Sequence, residues 1–158
     1  MLLFHCQRHT NARKRVKSRV PELGPKRERS LKIAAIILAA GRSNRFGEDD
    51  KRLALIEGEP LLRRVVSRVV SSAVGWVLVV TACEADEDPD ITRLLCDLPV
   101  QQVFNPDARD GMGASIAAGV AALGSEIDGA LIVPADMPEI SPQLIDRIID
   151  EFSALSRN

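Results

Sequence analysis

The chain has 158 residues, a length that suits one globular domain, with 46% hydrophobic and 27% charged residues. Its formal net charge of −1 and its aromatic content of only 3% exclude a general nucleic-acid-binding protein, which uses positive charge and base stacking. No apolar run approaches the roughly 20 residues that a membrane span needs.

Residues 1–30 are predicted to be a disordered basic extension, followed by one folded domain over residues 31–158. Residues 1–32 carry ten Lys or Arg against two acidic residues, and Pro21, Gly24 and Pro25 interrupt any helix. A basic arm for nucleic acid or membrane and an organelle transit peptide are the alternatives. The three cysteines lack paired spacing, which predicts a reducing cytoplasmic location without disulfides or a zinc site.

The stretch from residue 33 to residue 51 predicts a phosphate-binding loop. Ile33–Leu38 is a run of six apolar residues, which is typical of a strand buried on both faces. A turn of small residues follows, and a loop with Arg42 and Arg45 leads to Lys51. Small side chains let backbone N–H groups approach an anion, and the cations supply countercharge. The spacing fits neither GxGxxG nor GxxxxGK[ST].

Strands and helices alternate along the rest of the chain. This alternation predicts an α/β fold, a Rossmann-like three-layer sandwich with a mostly parallel sheet. After the first strand the predicted elements are a helix from Pro60, a strand at 76–81, a short helix at 88–98, a strand at 100–104, a helix at 111–123, a strand at 129–133 and a helix from Pro142.

The expected strand order is 3-2-1-4, with the first strand in the centre. The first and fourth strands are then neighbours whose connections leave in opposite directions, and ligands bind at such a switch point. Asp136 follows the fourth strand between Pro134 and Pro138, so we expect it to face the loop that begins at Gly41. A single carboxylate beside a phosphate pocket suits Mg²⁺, and the alternative is a turn or cap residue.

A third candidate segment lies at the start of the helix at 111–123. Gly111 and Gly113 bring the N-terminus of that helix close to a ligand, Ser115 adds a hydroxyl group, and Asn105 adds an amide. The alternative is a flexible turn followed by tight helix packing.

The chain resembles the MobA-like nucleotidyltransferases, and within this family it looks most like the molybdenum cofactor cytidylyltransferases. The resemblance lies in LAAGRSNRFG with a lysine four residues on, in an asparagine before GMGASIAAG, and in PADMP. It implies that the glycine loop holds a nucleoside triphosphate, that the lysine neutralises phosphates and that the aspartate binds Mg²⁺. The implied site residues are Leu38, Ala39, Ala40, Gly41, Arg42, Arg45, Lys51, Asn105, Gly111, Gly113, Ser115 and Asp136.

The resemblance also implies a reaction, the transfer of CMP from CTP to a phosphorylated acceptor, molybdopterin, with release of pyrophosphate. Guanylyltransferase relatives usually read LAGG where this chain has LAAG, and the extra methyl group of Ala40 is expected to narrow the space beside the base in favour of a pyrimidine. The alternatives are a nucleotidyltransferase that uses GTP or a sugar or isoprenoid phosphate, and a non-catalytic accessory protein for molybdenum-enzyme maturation.

Members of this family usually continue for several tens of residues beyond the final helix. The C-terminal part of the domain is therefore expected to be missing from this chain. The fourth strand would then lie at an unpaired sheet edge, which favours aggregation or dimerisation.

Overall fold

The computed structural model describes residues 2–5, 31–41, 50–82 and 88–156. Strands in these ranges are β1 (Leu2–His5), β2 (Ile33–Leu38), β3 (Leu55–Ile56), β4 (Glu59–Pro60), β5 (Trp76–Thr81), β6 (Gln101–Phe104) and β7 (Gly129–Pro134). Helices are α1 (Leu61–Val70), α2 (Pro89–Leu95), α3 (Met112–Ala121) and α4 (Pro142–Leu155), with 3₁₀ turns at Lys51–Leu53 and Ala108–Asp110. None of the described helices has the length and apolar character to cross a membrane.

β2 lies in the centre of the main sheet, as its apolar sequence predicts. The strand order is β1-β7-β2-β5-β6, and β7, β2, β5 and β6 are parallel. Ile33 lies opposite Gly129 and Leu38 lies opposite Pro134, so β2 and β7 end side by side. The predicted order 3-2-1-4 is therefore confirmed for the parallel strands, and so is the α/β fold class.

β1 occupies the sheet edge that the sequence predicted to be unpaired. It runs antiparallel to β7, with Leu2 opposite Ile132 and His5 opposite Gly129. The prediction that the edge of β7 is unpaired is therefore wrong for the described part of the chain. The expected dimer contact depended on that open edge. Residues 2–5 are also a strand rather than a disordered extension, and residues 6–30 lie outside the described residues. The four residues of β1 are too few to show the periodicity of a strand in the sequence. Their strand structure depends on pairing with β7.

Helices cover both faces of the sheet. Alternate residues of β2 point to opposite faces, so that Ala35 and Ile37 pack in one cluster and Ile36 packs in another. Buried side chains of α1, α2 and α4 belong to the first cluster, and α3 contributes to the second. The five residues from 33 to 37 are each at most 2% exposed. This burial on two faces is the physical reason for the unbroken apolar run.

A tight hairpin that the sequence did not predict leads into α1. β3 and β4 pair around Glu57 and Gly58, whose φ angles of +53° and +85° are those of a two-residue hairpin turn with both φ angles positive. The N–H of Leu61 then donates to the carbonyl oxygen of Ala54 at 2.8 Å. These contacts fix the path between the 3₁₀ turn at Lys51–Leu53 and the first turn of α1.

α3 packs very closely on the sheet because Gly119 faces it. A Cβ atom added at Gly119 would lie 2.5 Å from Cγ2 of Ile36 and 3.2 Å from Cγ2 of Val80. Ile36 is completely buried, so its branched side chain has no free space to move into. The glycine therefore sets the distance between α3 and the sheet.

We expect Gly119→Ala to lower the free energy of unfolding by about 1–3 kcal/mol, because the added methyl group overpacks this contact. Gly113→Ala is the matched control, since a Cβ there meets nothing within 4 Å and alanine favours the helix. Urea denaturation of both variants measures the difference. Equal stabilities of the two variants would contradict the close-packing explanation.

Candidate functional site

A cleft of about 350 Å³ lies beyond the carboxyl ends of β2 and β7. This is the switch point of the parallel sheet, where the connections of neighbouring strands leave in opposite directions. Its volume falls in the range of small-molecule sites, roughly 300–1,000 Å³. The described residues that line it are Leu38, Ala39, Gly41, Lys51, Arg52, Leu61, Ala108, Gly111, Met112, Ser115, Pro134, Ala135 and Asp136.

Two opposite charges form an ion pair in the lining of this cleft. The Nζ atom of Lys51 lies 3.5 Å from Oδ2 of Asp136. The two side chains are 38% and 59% exposed, so both charges are accessible to a ligand. The structure thus brings together the lysine of the first loop and the aspartate after the fourth parallel strand, as the strand order predicts.

Asp136 lies in a loop that is tied to the sheet and to α1. The N–H of Ala135 donates to the carbonyl oxygen of Leu38 at 3.2 Å, which extends the contact between β2 and β7 past the end of β7. Arg68 of α1 donates from Nη1 to two carbonyl oxygens of the loop, at 2.7 and 3.0 Å. The loop is therefore held on both sides of Asp136.

Lys51 begins a 3₁₀ turn that its neighbours hold in place. The carboxylate of Asp50 caps the turn by accepting from the N–H of Arg52 at 2.9 Å. The guanidinium group of Arg52 folds back onto the same carboxylate, with Nη2 at 2.6 Å from Oδ2. It also donates to Oδ2 of Asp88 at 2.7 Å and to the carbonyl oxygen of Ala39 at 3.3 Å.

Burial and hydrogen bonding act in opposite directions on this cluster. Burial alone would lower the pKa of Arg52, but the hydrogen bonds and charges of Asp50 and Asp88 outweigh it and raise this pKa. Burial alone would raise the pKa of Asp50, but hydrogen bonds from Arg52 outweigh it and lower that pKa. Arg52 and Asp50 therefore both stay ionised at neutral pH.

The N-terminal end of α3 forms a further wall of the cleft. Gly111 has φ of +100°, a conformation that favours glycine, and it precedes the cleft-lining Met112. Ser115, also in the lining, is 5% exposed and accepts a hydrogen bond from Nδ2 of Asn105 at 3.1 Å. Asn105 is 2% exposed, and its Oδ1 accepts from the N–H of Asp107 at 3.0 Å. Asn105 therefore supports Ser115 from behind the cleft wall.

Three predicted site residues in the described ranges, Ala40, Asn105 and Gly113, lie outside the cleft lining, and their contacts with a ligand stay predictions. Asn105 was expected near the ligand, but the described cleft lining includes Ser115 and not Asn105. Gly113 is exposed and lies outside the same lining. Arg42 and Arg45 lie outside the described residues, so their contacts with phosphate stay predictions.

Ala40 lies in the core rather than in the cleft wall. It is 4% exposed and packs in a cluster with Ile36 and Val80, whereas its neighbours Ala39 and Gly41 line the cleft. The backbone therefore passes the cleft while the methyl group of Ala40 is directed into the core. The burial of this methyl group gives no support to the prediction that it narrows the space beside a base, which stays a prediction.

Arg52 is the charged cleft residue that the sequence reasoning missed. It directly follows Lys51, where the GxxxxGK[ST] pattern would have a serine or a threonine. Its position two residues after Asp50 is a signal for a capped turn. Its second carboxylate partner, Asp88, is distant in the sequence, and the pair becomes visible only in the folded chain.

The cleft residues fit a divalent cation that takes one carboxylate from the protein and most of its other oxygen atoms from a bound phosphate compound and water. Asp136 offers a carboxylate that is more than half exposed at the mouth of the cleft. Among the described residues no group of three or more His, Cys, Asp or Glu side chains is placed to hold a metal ion. Mg²⁺ suits such a site, because it commonly takes one or two protein carboxylates and completes its shell with phosphate oxygens and water.

Residues 35–157 match the family model described as the MobA-like NTP transferase domain. A relative from Natronomonas pharaonis, named as a probable molybdenum cofactor guanylyltransferase, is 32% identical over 115 residues. The alignment covers 73% of this chain and 54% of that protein. The chain spans about half the length of the relatives of this kind that it matches.

Solved structures share the fold. A nucleotidyl transferase from Methanothermobacter thermautotroptrophicus superposes with a TM-score of 0.65 at 27% identity, over 75% of this chain and 57% of that one. Rv0371c from Mycobacterium tuberculosis superposes with a TM-score of 0.68 at 22% identity, over 80% of this chain and 62% of that one. The second similarity concerns the fold alone.

We expect Arg68→Gln to lower the free energy of unfolding by about 1–2 kcal/mol, because it removes the hydrogen bonds to the carbonyl oxygens of Pro138 and Ile140. Arg93→Gln is the control, since Arg93 is 79% exposed and its partner Asp90 lies 3.6 Å away, and we expect a change below about 0.5 kcal/mol. Thermal denaturation measures both. A loss for Arg68→Gln no larger than that for Arg93→Gln would contradict this role.

Proposed function

The chain belongs to the MobA-like NTP transferase domain family, and we propose that it is a nucleotidyltransferase for molybdopterin. In this proposal it transfers a nucleoside monophosphate from a nucleoside triphosphate to the terminal phosphate of molybdopterin and releases pyrophosphate. The observation that supports this proposal most directly is the contact of Lys51 with Asp136 in the cleft lining, at 3.5 Å. A cation and a metal-binding carboxylate in one cleft are what a triphosphate requires.

The proposed step forms one P–O bond and breaks another. An oxygen of the acceptor phosphate attacks the α-phosphorus, the bond from that phosphorus to the bridging oxygen breaks, and pyrophosphate leaves with the electron pair. The acceptor phosphate is already ionised, so the step needs no general base. The chain has to hold the two phosphates in line and offset their negative charge.

Three groups of this chain supply that charge and orientation. Lys51 offsets the charge of the triphosphate from the β2 side of the cleft. The N-terminal end of α3 offers backbone N–H groups and the positive end of its dipole, and its first turn contains no acidic residue. Ser115 adds a hydroxyl group that Asn105 holds in place. Mg²⁺ on Asp136 would supply further charge neutralisation at the phosphate oxygens.

We propose GTP as the nucleotide. The relative from Natronomonas pharaonis is named as a guanylyltransferase. The expectation of CTP rested on the methyl group of Ala40, which is buried in the core. CTP remains a competing substrate, but no contact in the described cleft favours it. The free, exposed thiol of Cys96 agrees with the proposed cytoplasmic setting.

A panel of the four nucleoside triphosphates tests this proposal. The full chain is incubated with molybdopterin, Mg²⁺ and each nucleotide, and pyrophosphate release is measured. We expect release that depends on molybdopterin and is fastest with GTP. Fastest release with CTP would contradict the choice of GTP and would indicate a cytidylyltransferase. Nucleotide binding without release would favour the accessory role in molybdenum-enzyme maturation, which is the second candidate.

Substitutions of the two facing charges should change different kinetic parameters. We expect Asp136→Ala to lower kcat by about 100-fold or more, because the carboxylate for the metal is lost. We expect Lys51→Ala mainly to weaken nucleotide binding, by about tenfold, because one charged contact with phosphate is lost. Steady-state kinetics and calorimetric titration measure the two effects.

Two control variants match these substitutions. Glu139→Ala removes an exposed acid from the Asp136 loop, and Lys32→Ala removes an exposed lysine just before the amino end of β2. We expect both controls to retain the parent kinetics. Parent activity in Asp136→Ala would reject this residue as the metal ligand, and unchanged nucleotide affinity in Lys51→Ala would reject the lysine as a phosphate contact.

A further inference from the structure

Arg52 joins three separate parts of the molecule beside the cleft. Its guanidinium group contacts the glycine loop at the carbonyl oxygen of Ala39, the start of the 3₁₀ turn at Asp50, and the start of α2 at Asp88. The Arg52 side chain is only 19% exposed, which leaves little of it for contact with a ligand. Its charge is already balanced by two carboxylates, both within 2.7 Å of Nη2.

The carboxylate of Asp88 serves two partners at once. Its Oδ1 accepts from the N–H of Ile91 at 3.3 Å and so caps α2, and its Oδ2 accepts from Arg52. Ile91 is completely buried in the core. The 3₁₀ turn that begins with Lys51 is therefore connected through Arg52 and Asp88 to a helix that is anchored in the core.

We propose that Arg52 is a positioning residue for the triphosphate site, which holds Lys51 in the cleft by bridging the glycine loop to the capped start of α2. This inference rests on the proposed function, because it assigns to Lys51 the role of the phosphate contact. Arg52 acts through its neighbour: with the turn held to the glycine loop and to the start of α2, the side chain of Lys51 extends towards Asp136. A lysine at position 52 would not replace it, since an ammonium group lacks the planar fork that reaches several acceptors at once.

The alternative role for Arg52 is direct attraction of phosphate. The substitution Asp88→Asn separates the two roles, because they predict opposite changes in the affinity for the ligand. Asparagine still caps a helix, so α2 keeps its N-terminal hydrogen bond. The substitution removes one negative partner of Arg52. A direct phosphate contact would then become more available and binding would tighten. A positioning residue would lose an anchor and binding would weaken.

Calorimetric titration of the full chain with GTP and, separately, with inorganic tripolyphosphate, both with Mg²⁺, tests the proposal. We expect Arg52→Gln and Asp88→Asn each to raise the Kd for both ligands by about tenfold, and the double variant to raise it no further, because both substitutions break one connection. We expect the Kd values of Arg52→Lys to be close to those of Arg52→Gln.

Arg63→Gln is the matched control. Arg63 also donates to an aspartate and to a backbone carbonyl of the α2 segment, at Asp97 and Leu94, but it does not belong to the described cleft lining. We expect its Kd values to equal those of the parent chain. The melting temperature of each variant is recorded, so that a loss of stability alone is recognised by its presence in the control.

Each other outcome has a stated meaning. Unchanged affinity in Arg52→Gln, tighter binding in Asp88→Asn, parent affinity in Arg52→Lys, or equal weakening in Arg63→Gln would each overturn the positioning role while the proposed function stands. Weakening as expected, without pyrophosphate release by the parent chain, would keep the positioning role and overturn the proposed function. No binding of either ligand by the parent chain would overturn both.

Discussion

The contact between Lys51 and Asp136 is the interaction on which the site depends. It exists because β2 and β7 are neighbouring parallel strands that end at the same edge of the sheet. One strand delivers the glycine loop and the other delivers the acidic loop, so residues that are distant in sequence meet at 3.5 Å. The buried apolar residues of β2 thus determine the geometry of a polar site at the end of that strand.

This ion pair contributes little to the stability of the fold. Both side chains are more than a third exposed, and exposed pairs of this kind are typically worth about 0–1 kcal/mol. The surrounding arginines have more acceptors: Arg52 contacts two carboxylates and a carbonyl group, and Arg68 contacts two carbonyl groups. The Arg52 side chain is also only 19% exposed. Stabilising interactions therefore surround a pair of charges that a ligand can separate at low cost.

The sequence was sufficient for the features that depend on periodicity and on strand order. The run at β2 has a clear signal because both faces of the strand are buried, and Asp136 was expected at the right edge because parallel strands end together. The hairpin around Glu57 and Gly58 was missed because each of its strands has only two residues. β1 was missed because its pairing depends on a distant strand.

Side-chain direction was the main limit within the site. Ala40 lies between two cleft residues in the sequence, yet its methyl group is in the core, and nothing in a string of small residues reveals that direction. Asn105 was recognised as polar and relevant, but its burial behind Ser115 appears only in the fold. Arg52 required knowledge of its contact with Asp88, which no local motif contains.

A crystal structure of the chain with a non-hydrolysable GTP analogue and Mn²⁺ in place of Mg²⁺ would test the central claim most directly, because the anomalous signal of manganese locates the metal. We predict a manganese peak at about 2.1 Å from a carboxylate oxygen of Asp136, with the triphosphate between this metal and Nζ of Lys51. A manganese peak remote from Asp136, or a triphosphate bound outside the cleft between β2 and β7, would contradict the account.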